Sequence, residues 1–227
     1  MHYTHRLLWP LIAVVTVFTL VAPPASADEA VVDFVEAYVE EHLPGVAPGV
    51  VFGLVDGSAT VAAWGLADPA GNRPLTAQTP LRLGSISKPV TAATILELAE
   101  EDEVDLDVGI DRYLALPEDG FGPPPTLRQL LQHRGGYPDA IVGSHHLDPG
   151  TVPDPTTWVE GTTRTHSSDV VGSYSSGGYT LAGHAVAAVQ GVPWADVAEE
   201  RLFEPLGMGS STFGPGPADV AVGHVLE

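Results

Sequence analysis

The chain contains no cysteine, which excludes disulfides, thiolate metal ligands and a lipid-anchoring cysteine together. Lysine is nearly as scarce: one lysine and eight arginines stand against 29 acidic residues, a formal charge of −20. The acidic residues are spread along the chain, and such a surface argues against a polyanion, hence against nucleic acid, as a partner. Two origins account equally for an acidic, lysine-poor composition: adaptation to high salt, or a high-GC genome that replaces Lys by Arg. Internal repeats and low-complexity linkers are also missing. With 44% hydrophobic residues over 227 positions, the chain is long and apolar enough to bury a core as one large domain or two small ones.

Residues 1–27 stand apart from the rest. Arg6 and two histidines precede an apolar run, Leu7 to Val21, followed by Pro23, Pro24 and the small triplet Ala25-Ser26-Ala27. This is the pattern of a signal peptide with an A-x-A cleavage site. The run falls short of the roughly 20 residues that span a bilayer, so cleavage is expected ahead of retention as an anchor. The protein is expected to be secreted or held at the cell surface, with residues 28–227 as its one folded domain.

From Asp28, Val31, Phe34, Val35, Tyr38 and Val39 recur at helical spacing until Pro44-Gly45 stops them. Val50 to Val55 reads as a strand, Asp56-Gly57 as a tight turn and Thr60 to Trp64 as the returning strand. A second helix is predicted from about Ser87 to Glu101, with Val90, Ala93, Ile95, Leu96 and Leu98 as its apolar positions. Leu127 to Gln132 reads as a short helix ending at Gly135-Gly136, Gly143 to Thr165 as a long surface loop, and Tyr179 to Gln190 and Trp194 to Phe203 as two further helices.

The chemistry centres on Gly84-Ser85-Ile86-Ser87-Lys88-Pro89. Proline fits a helix only in its first turn, so a helix begins just before Pro89 and Ser85 sits at its N-terminus. There the helix dipole and unpaired amides favour an alkoxide or an oxyanion. Lys88 lies three residues on, on the same face, and can reach the Ser85 hydroxyl; a serine needs such a base to be nucleophilic near neutral pH. On spacing alone, Ser85 or Ser87 could simply cap the helix. Lys88 is the only lysine in the chain, and arginine, which the protein uses elsewhere, cannot act as a base.

Four segments resemble the serine β-lactamase and D,D-peptidase superfamily, in its class C-like esterase and peptidase branch. Leu83 to Lys88 looks like the family's nucleophile motif, and Val104-Asp105-Leu106-Asp107 leading to Arg112-Tyr113-Leu114 looks like the segment after its helix. Leu130-Leu131-Gln132-His133 with Gly136 is similar to its "LLTHTSG" stretch, with Arg134-Gly135 replacing Thr-Ser; Leu202 to Met208 matches its "PLGM" signature. The resemblance implies an α+β, β-lactamase/transpeptidase-like fold: a helical region packed on an antiparallel sheet. It also implies a serine hydrolase acting through a Ser85 acyl-enzyme on an amide, β-lactam or ester, with a small molecule or a cell-wall peptide as substrate, no cofactor and no obligate protein partner.

The family's second motif, Tyr-x-Asn, is matched by Tyr174-Ser175-Ser176. By resemblance Tyr174 shares the Ser85 proton with Lys88 and passes it to the leaving group, and Ser176 takes the substrate-binding position of the Asn. The third motif, Lys-Thr-Gly or His-x-Gly on a strand, is not found after Tyr174; His133-Arg134-Gly135 has the letters but precedes it. The expectation is therefore a domain truncated at its C-terminus, whose sheet lacks its C-terminal strands, and the rival reading is a degenerate penicillin-binding-like domain without turnover. Two minor readings remain: a metal site at His145, His146, Asp148 and His166, which lacks the recognised spacings, and an α/β-hydrolase nucleophile at Ser175, which lacks the first glycine of the Gly-x-Ser-x-Gly elbow.

Overall fold

A computed structural model describes residues 27–139, 163–214 and 216–222. The predicted signal peptide, residues 1–27, lies outside these residues except for Ala27, where helix α1 (Ala27–His42) begins. Strands β1 (Gly49–Asp56) and β2 (Ser58–Asp68) follow as an antiparallel hairpin, in register from Gly49 opposite Gly65 to Asp56 opposite Ser58. Two residues, Arg73–Pro74, extend the sheet as β3 on the far side of β2. Helix α1 lies on the hairpin, as its periodicity predicts, yet Phe34 and Tyr38 on it remain largely exposed.

The core sits in the helical half. Helix α2 (Ser87–Glu100), α3 (Leu127–Leu131), α4 (Ser176–Gln190) and α5 (Trp194–Ala198) surround one cluster containing Ile95, Leu98, Ile110, Leu127, Leu130, Leu181, Val186 and Val197. Each fully buried Leu, Ile or Val contributes about 1.5–3 kcal/mol. The inward face of helix α2 contains two of the predicted positions, Ile95 and Leu98, but Thr91 and Thr94 complete it, while Leu96 is exposed. Both threonine hydroxyls donate back to carbonyls one turn earlier, Ser87 and Val90, which satisfies the polar atom and lets the methyl pack. Helix α4 starts three residues earlier than predicted, because Ser175 caps it by accepting from the Gly178 amide at 2.9 Å.

Short loops bind these helices together. Thr126 and Gln129 form a reciprocal capping box at the start of α3. Gly136, at φ +85°, lies against the 163–168 segment so closely that a Cβ there would sit 2.2 Å from the His166 carbonyl oxygen. Arg164, 4% exposed, holds the same segment to the loop after Leu116. Its guanidinium donates to both Asp119 carboxylate oxygens at 2.7 and 2.8 Å and to the carbonyls of Pro123 and Gly122 at 2.8 and 2.7 Å. A buried charge satisfied on this many sides is tolerated, but a lone partner would not be.

Arg164 holds the Asp119 carboxyl at about 2, against an ordinary 3.8. A depressed carboxylate stabilises the fold above its unfolded pKa, and that contribution is lost as pH falls through the folded one. Between about pH 4 and pH 2 the wild type should therefore lose more stability than Asp119→Asn does, measured as denaturation midpoints at each pH. At neutral pH the variant should be less stable by several kcal/mol, about 3–5, for a broken buried pair. Equal acid slopes for the two proteins would remove Asp119 from the account.

Candidate active site

Ser85 stands in a 3-10 turn, Gly84–Ile86, that runs directly into α2. Gly84 makes this entry possible at φ +53°, a conformation that costs glycine little. The amides at such a start have no acceptor within the helix, so the Ser85 N–H is available to a developing oxyanion. Lys88, one turn on, donates from Nζ to Ser85 Oγ at 3.3 Å. Serine and lysine therefore meet as their spacing predicts.

Tyr174 approaches from the segment before α4, and its Oη lies 2.6 Å from Ser85 Oγ. Ser176, the first residue of α4, accepts from Lys88 Nζ at 3.2 Å. The four predicted residues thus form one continuous cluster, with the ammonium between two hydroxyls and 4.7 Å from the centre of the Tyr174 ring. Hydrogen bonds to a charged group contribute roughly 1.5–3 kcal/mol each, whereas an exposed cation–π contact contributes about 0.5–1 kcal/mol. The two serines, more than the ring, fix Lys88.

The Lys88 ammonium, and after it the Ser85 hydroxyl, hold the Tyr174 phenol below its ordinary ionisation range. The phenolate is thereby stabilised beside the Ser85 hydroxyl. Beneath this layer His133 sits with its ring 4.5 Å from that of Tyr174 and 5.1 Å from that of Tyr179. Tyr179 donates through its hydroxyl to the Leu131 carbonyl at 2.8 Å, and its burial pushes its own ionisation up. Two neighbouring phenols are therefore driven in opposite directions, and only Tyr174 is placed for proton transfer.

Asp139 accepts from the Ser176 amide at 3.0 Å and so fixes the end of α4 that carries the Ser176 hydroxyl. Sequence reasoning attached no role to Asp139, since its place depends on the 133–139 turn folding back over α4. Ser175 does not fit a nucleophile elbow: it is 4% exposed, and its Oγ is taken up by the Gly178 amide and the Pro138 carbonyl. His145, His146 and Asp148 lie outside the described residues. His166 donates from Nδ1 to the Ser167 carbonyl at 3.0 Å, and no cluster suited to a metal occurs among the described residues.

Comparison with known proteins bears on the family and the fold. Residues 31–226 match the family model described as Beta-lactamase. The chain is 30% identical to penicillin-binding protein 4 of Amycolatopsis lactamdurans over 198 residues, covering 83% of this chain and 50% of that protein. Against esterase EstB of Burkholderia gladioli it is 39% identical over 80 residues, 33% of this chain and 20% of that one. The octameric penicillin-binding protein homologue from Pyrococcus abyssi superposes with a TM-score of 0.72 and 26% identity, over 87% of this chain and 48% of that one. The chain spans about half the length of the penicillin-binding relative, or less for the esterase.

The ordering of the phenols can be measured without substrate. In a titration followed by phenolate absorbance, the lowest-pH tyrosine component of the wild type should vanish in Tyr174→Phe and move up in Lys88→Met, because the neighbouring positive charge is gone. A Lys88→Met titration identical to that of the wild type would show that the ammonium does not act on Tyr174.

Proposed function

The chain belongs to the Beta-lactamase family, and on that premise we propose that it is a serine hydrolase that transfers the acyl group of an amide or ester to Ser85 and then to water. The observation that carries this reading is the position of Ser85 Oγ, within hydrogen-bonding distance of both Tyr174 Oη and Lys88 Nζ. In acylation the Ser85 proton passes to the Tyr174–Lys88 pair, which shares it, while Oγ attacks the carbonyl carbon. The tetrahedral oxyanion forms beside the Ser85 amide. Its collapse breaks the bond to the leaving nitrogen or oxygen, which takes the proton back from Tyr174. Water activated by the same pair releases the acid and restores Ser85.

Penicillin binding by one relative and ester hydrolysis by another, as their names state, support an acyl donor of either kind. The substrate class of this chain is proposed accordingly as a small amide, β-lactam or ester, with a cell-wall peptide among the amides. Oxyanion holes commonly use two donors, and losing one costs roughly a hundredfold to a thousandfold in rate. Among the described residues the Ser85 amide is the donor at the helix start. The pattern of residues 1–27 supports export, so the reaction is proposed to take place outside the cytoplasm or at the cell surface.

A fluorophosphonate probe or a fluorescent penicillin should form an adduct that peptide mass spectrometry maps to Ser85. Lys88→Arg keeps the positive charge but cannot share the proton, so acylation should fall by at least about a hundredfold, toward loss of the base contribution. An adduct on Ser175 in place of Ser85, or full reactivity in Lys88→Arg, would overturn the assignment.

A further inference from the structure

Tyr174 lies in a segment without secondary structure and is half exposed, yet its phenol must be held within a fraction of an ångström of Ser85. Three of the contacts that hold it come from one residue. His133 accepts the Ser173 amide through its own carbonyl at 2.9 Å and the Ser175 amide through Nδ1 at 3.1 Å. Its ring packs on Tyr174 between them. Residues 173, 174 and 175 are each gripped by a different part of His133. Its backbone is in the left-handed region at φ +59°, a conformation that costs a non-glycine residue roughly 1–2 kcal/mol. Each hydrogen bond returns about 0.5–1.5 kcal/mol, so the grip on the 173–175 segment offsets the strain.

We infer that His133 is the positioning residue of the site: with Nδ1 unprotonated it accepts the Ser175 amide and thereby fixes the Tyr174 phenol against Ser85. The inference rests on the proposed hydrolase chemistry and names the element that makes it possible. An imidazole can accept at Nδ1 only while that nitrogen is bare, with its proton on Nε2. Protonation turns Nδ1 into a donor facing another donor, and the grip on residue 175 is lost. The groups that face the ring are the Lys88 ammonium from α2, Tyr174, Tyr179 from α4 and Asp139 beyond Pro138, while Arg134 beside it is tied to Asp169 at 2.7 Å. Burial first, and then Lys88, lower the imidazole's proton affinity against the opposing pull of the Ser175 bond and Asp139. The accepting form is thus kept at neutral pH and given up on acidification.

The test uses His133→Asn and His133→Phe in the full chain. Asparagine offers a carbonyl oxygen where Nδ1 stood, adopts the left-handed backbone readily and does not titrate; phenylalanine keeps the ring contact and offers no acceptor. Two readouts are taken between about pH 5 and pH 7, the range in which histidine titrates. One is the amide resonance of Ser175, and the other is the rate of Ser85 acylation by a fluorophosphonate. The wild-type Ser175 resonance should follow the titration of the His133 ring, and that dependence should be absent from His133→Asn. His133→Phe should acylate roughly ten- to a hundredfold more slowly, as expected when a catalytic group is misplaced by about an ångström. His133→Asn should regain most of that loss and show a flatter acid limb than the wild type. A Phe variant as fast as wild type, an Asn variant as slow as Phe, or a Ser175 amide blind to the His133 titration would overturn the inference. If His133→Phe does not fold, the Asn variant and the amide titration decide. Should the wild type itself fail to acylate, the hydrolase reading fails, and the Ser175 amide still reports whether His133 holds the segment.

Discussion

Everything at the site depends on one set of cross-strap hydrogen bonds between the turn after α3 and the segment leading into α4. The amides of Asp169 and Ser173 donate to the carbonyls of Arg134 and His133, and the Thr165 amide donates to Gly136. The Arg134–Asp169 pair adds an exposed contact over the same seam, of the kind that contributes at most about 1 kcal/mol. The backbone bonds are therefore the main part of the strap. Without them Tyr174 and Ser176, nearly 90 residues from Ser85 in sequence, would have no fixed relation to it. The turn can lie this close only because Gly136 has no side chain to meet the His166 carbonyl.

The strap in turn hangs on the helical core. Leu127 and Leu130 anchor α3 and Leu181, Ala185 and Val186 anchor α4, all at 1% exposure or less. The two helices pack directly on each other and α4 packs on α2. The three pieces that carry Ser85 and Lys88, His133, and Tyr174 and Ser176 are thus held by a single apolar cluster, and close packing transmits little slack. On the sheet side, by contrast, Ala67 and Leu75 are the only buried hydrophobics among the described residues of β1 to β3 and the residue that follows β3. Preorganisation of Ser85, Lys88 and Tyr174 is a property of the helices.

The parts of this arrangement that the sequence disclosed are those set by local rules or by composition. Proline at position 89 placed a helix start by a local rule, and a lone lysine in a chain that otherwise uses arginine marked Lys88 by composition. The periodicity of α1 and the Asp56-Gly57 turn of the hairpin were legible from local pattern. The inward face of α2 was legible only in part, because Thr91 and Thr94 read as polar until their hydroxyls are seen to be satisfied by their own helix. Tyr174 and Ser176 came from resemblance, since nothing in their spacing joins them to Ser85. His133 was present in a matched motif, yet its role depends on a left-handed backbone and on contacts across 40 residues and more, and no local pattern announces either. A histidine between an α-helix and a Gly-Gly pair, preceding a Tyr-bearing loop, is the only trace it leaves in the sequence.

The serine at position 176 follows from the same geometry. An asparagine offers a carbonyl and an amide, two functions at the end of a longer arm; a serine offers one oxygen that accepts through its lone pairs and donates through its hydrogen. Here Ser176 Oγ accepts from Lys88, and its position is set from behind by the Asp139 carboxylate on its amide. Holding the lysine therefore needs only the hydroxyl, provided that the start of α4 is fixed, and Asp139 and the Ser175 cap fix it. The same hydroxyl also helps to lower the ionisation of the Tyr174 phenol, so Ser176 acts on both partners of Ser85. Its main contribution is the placement of the lysine.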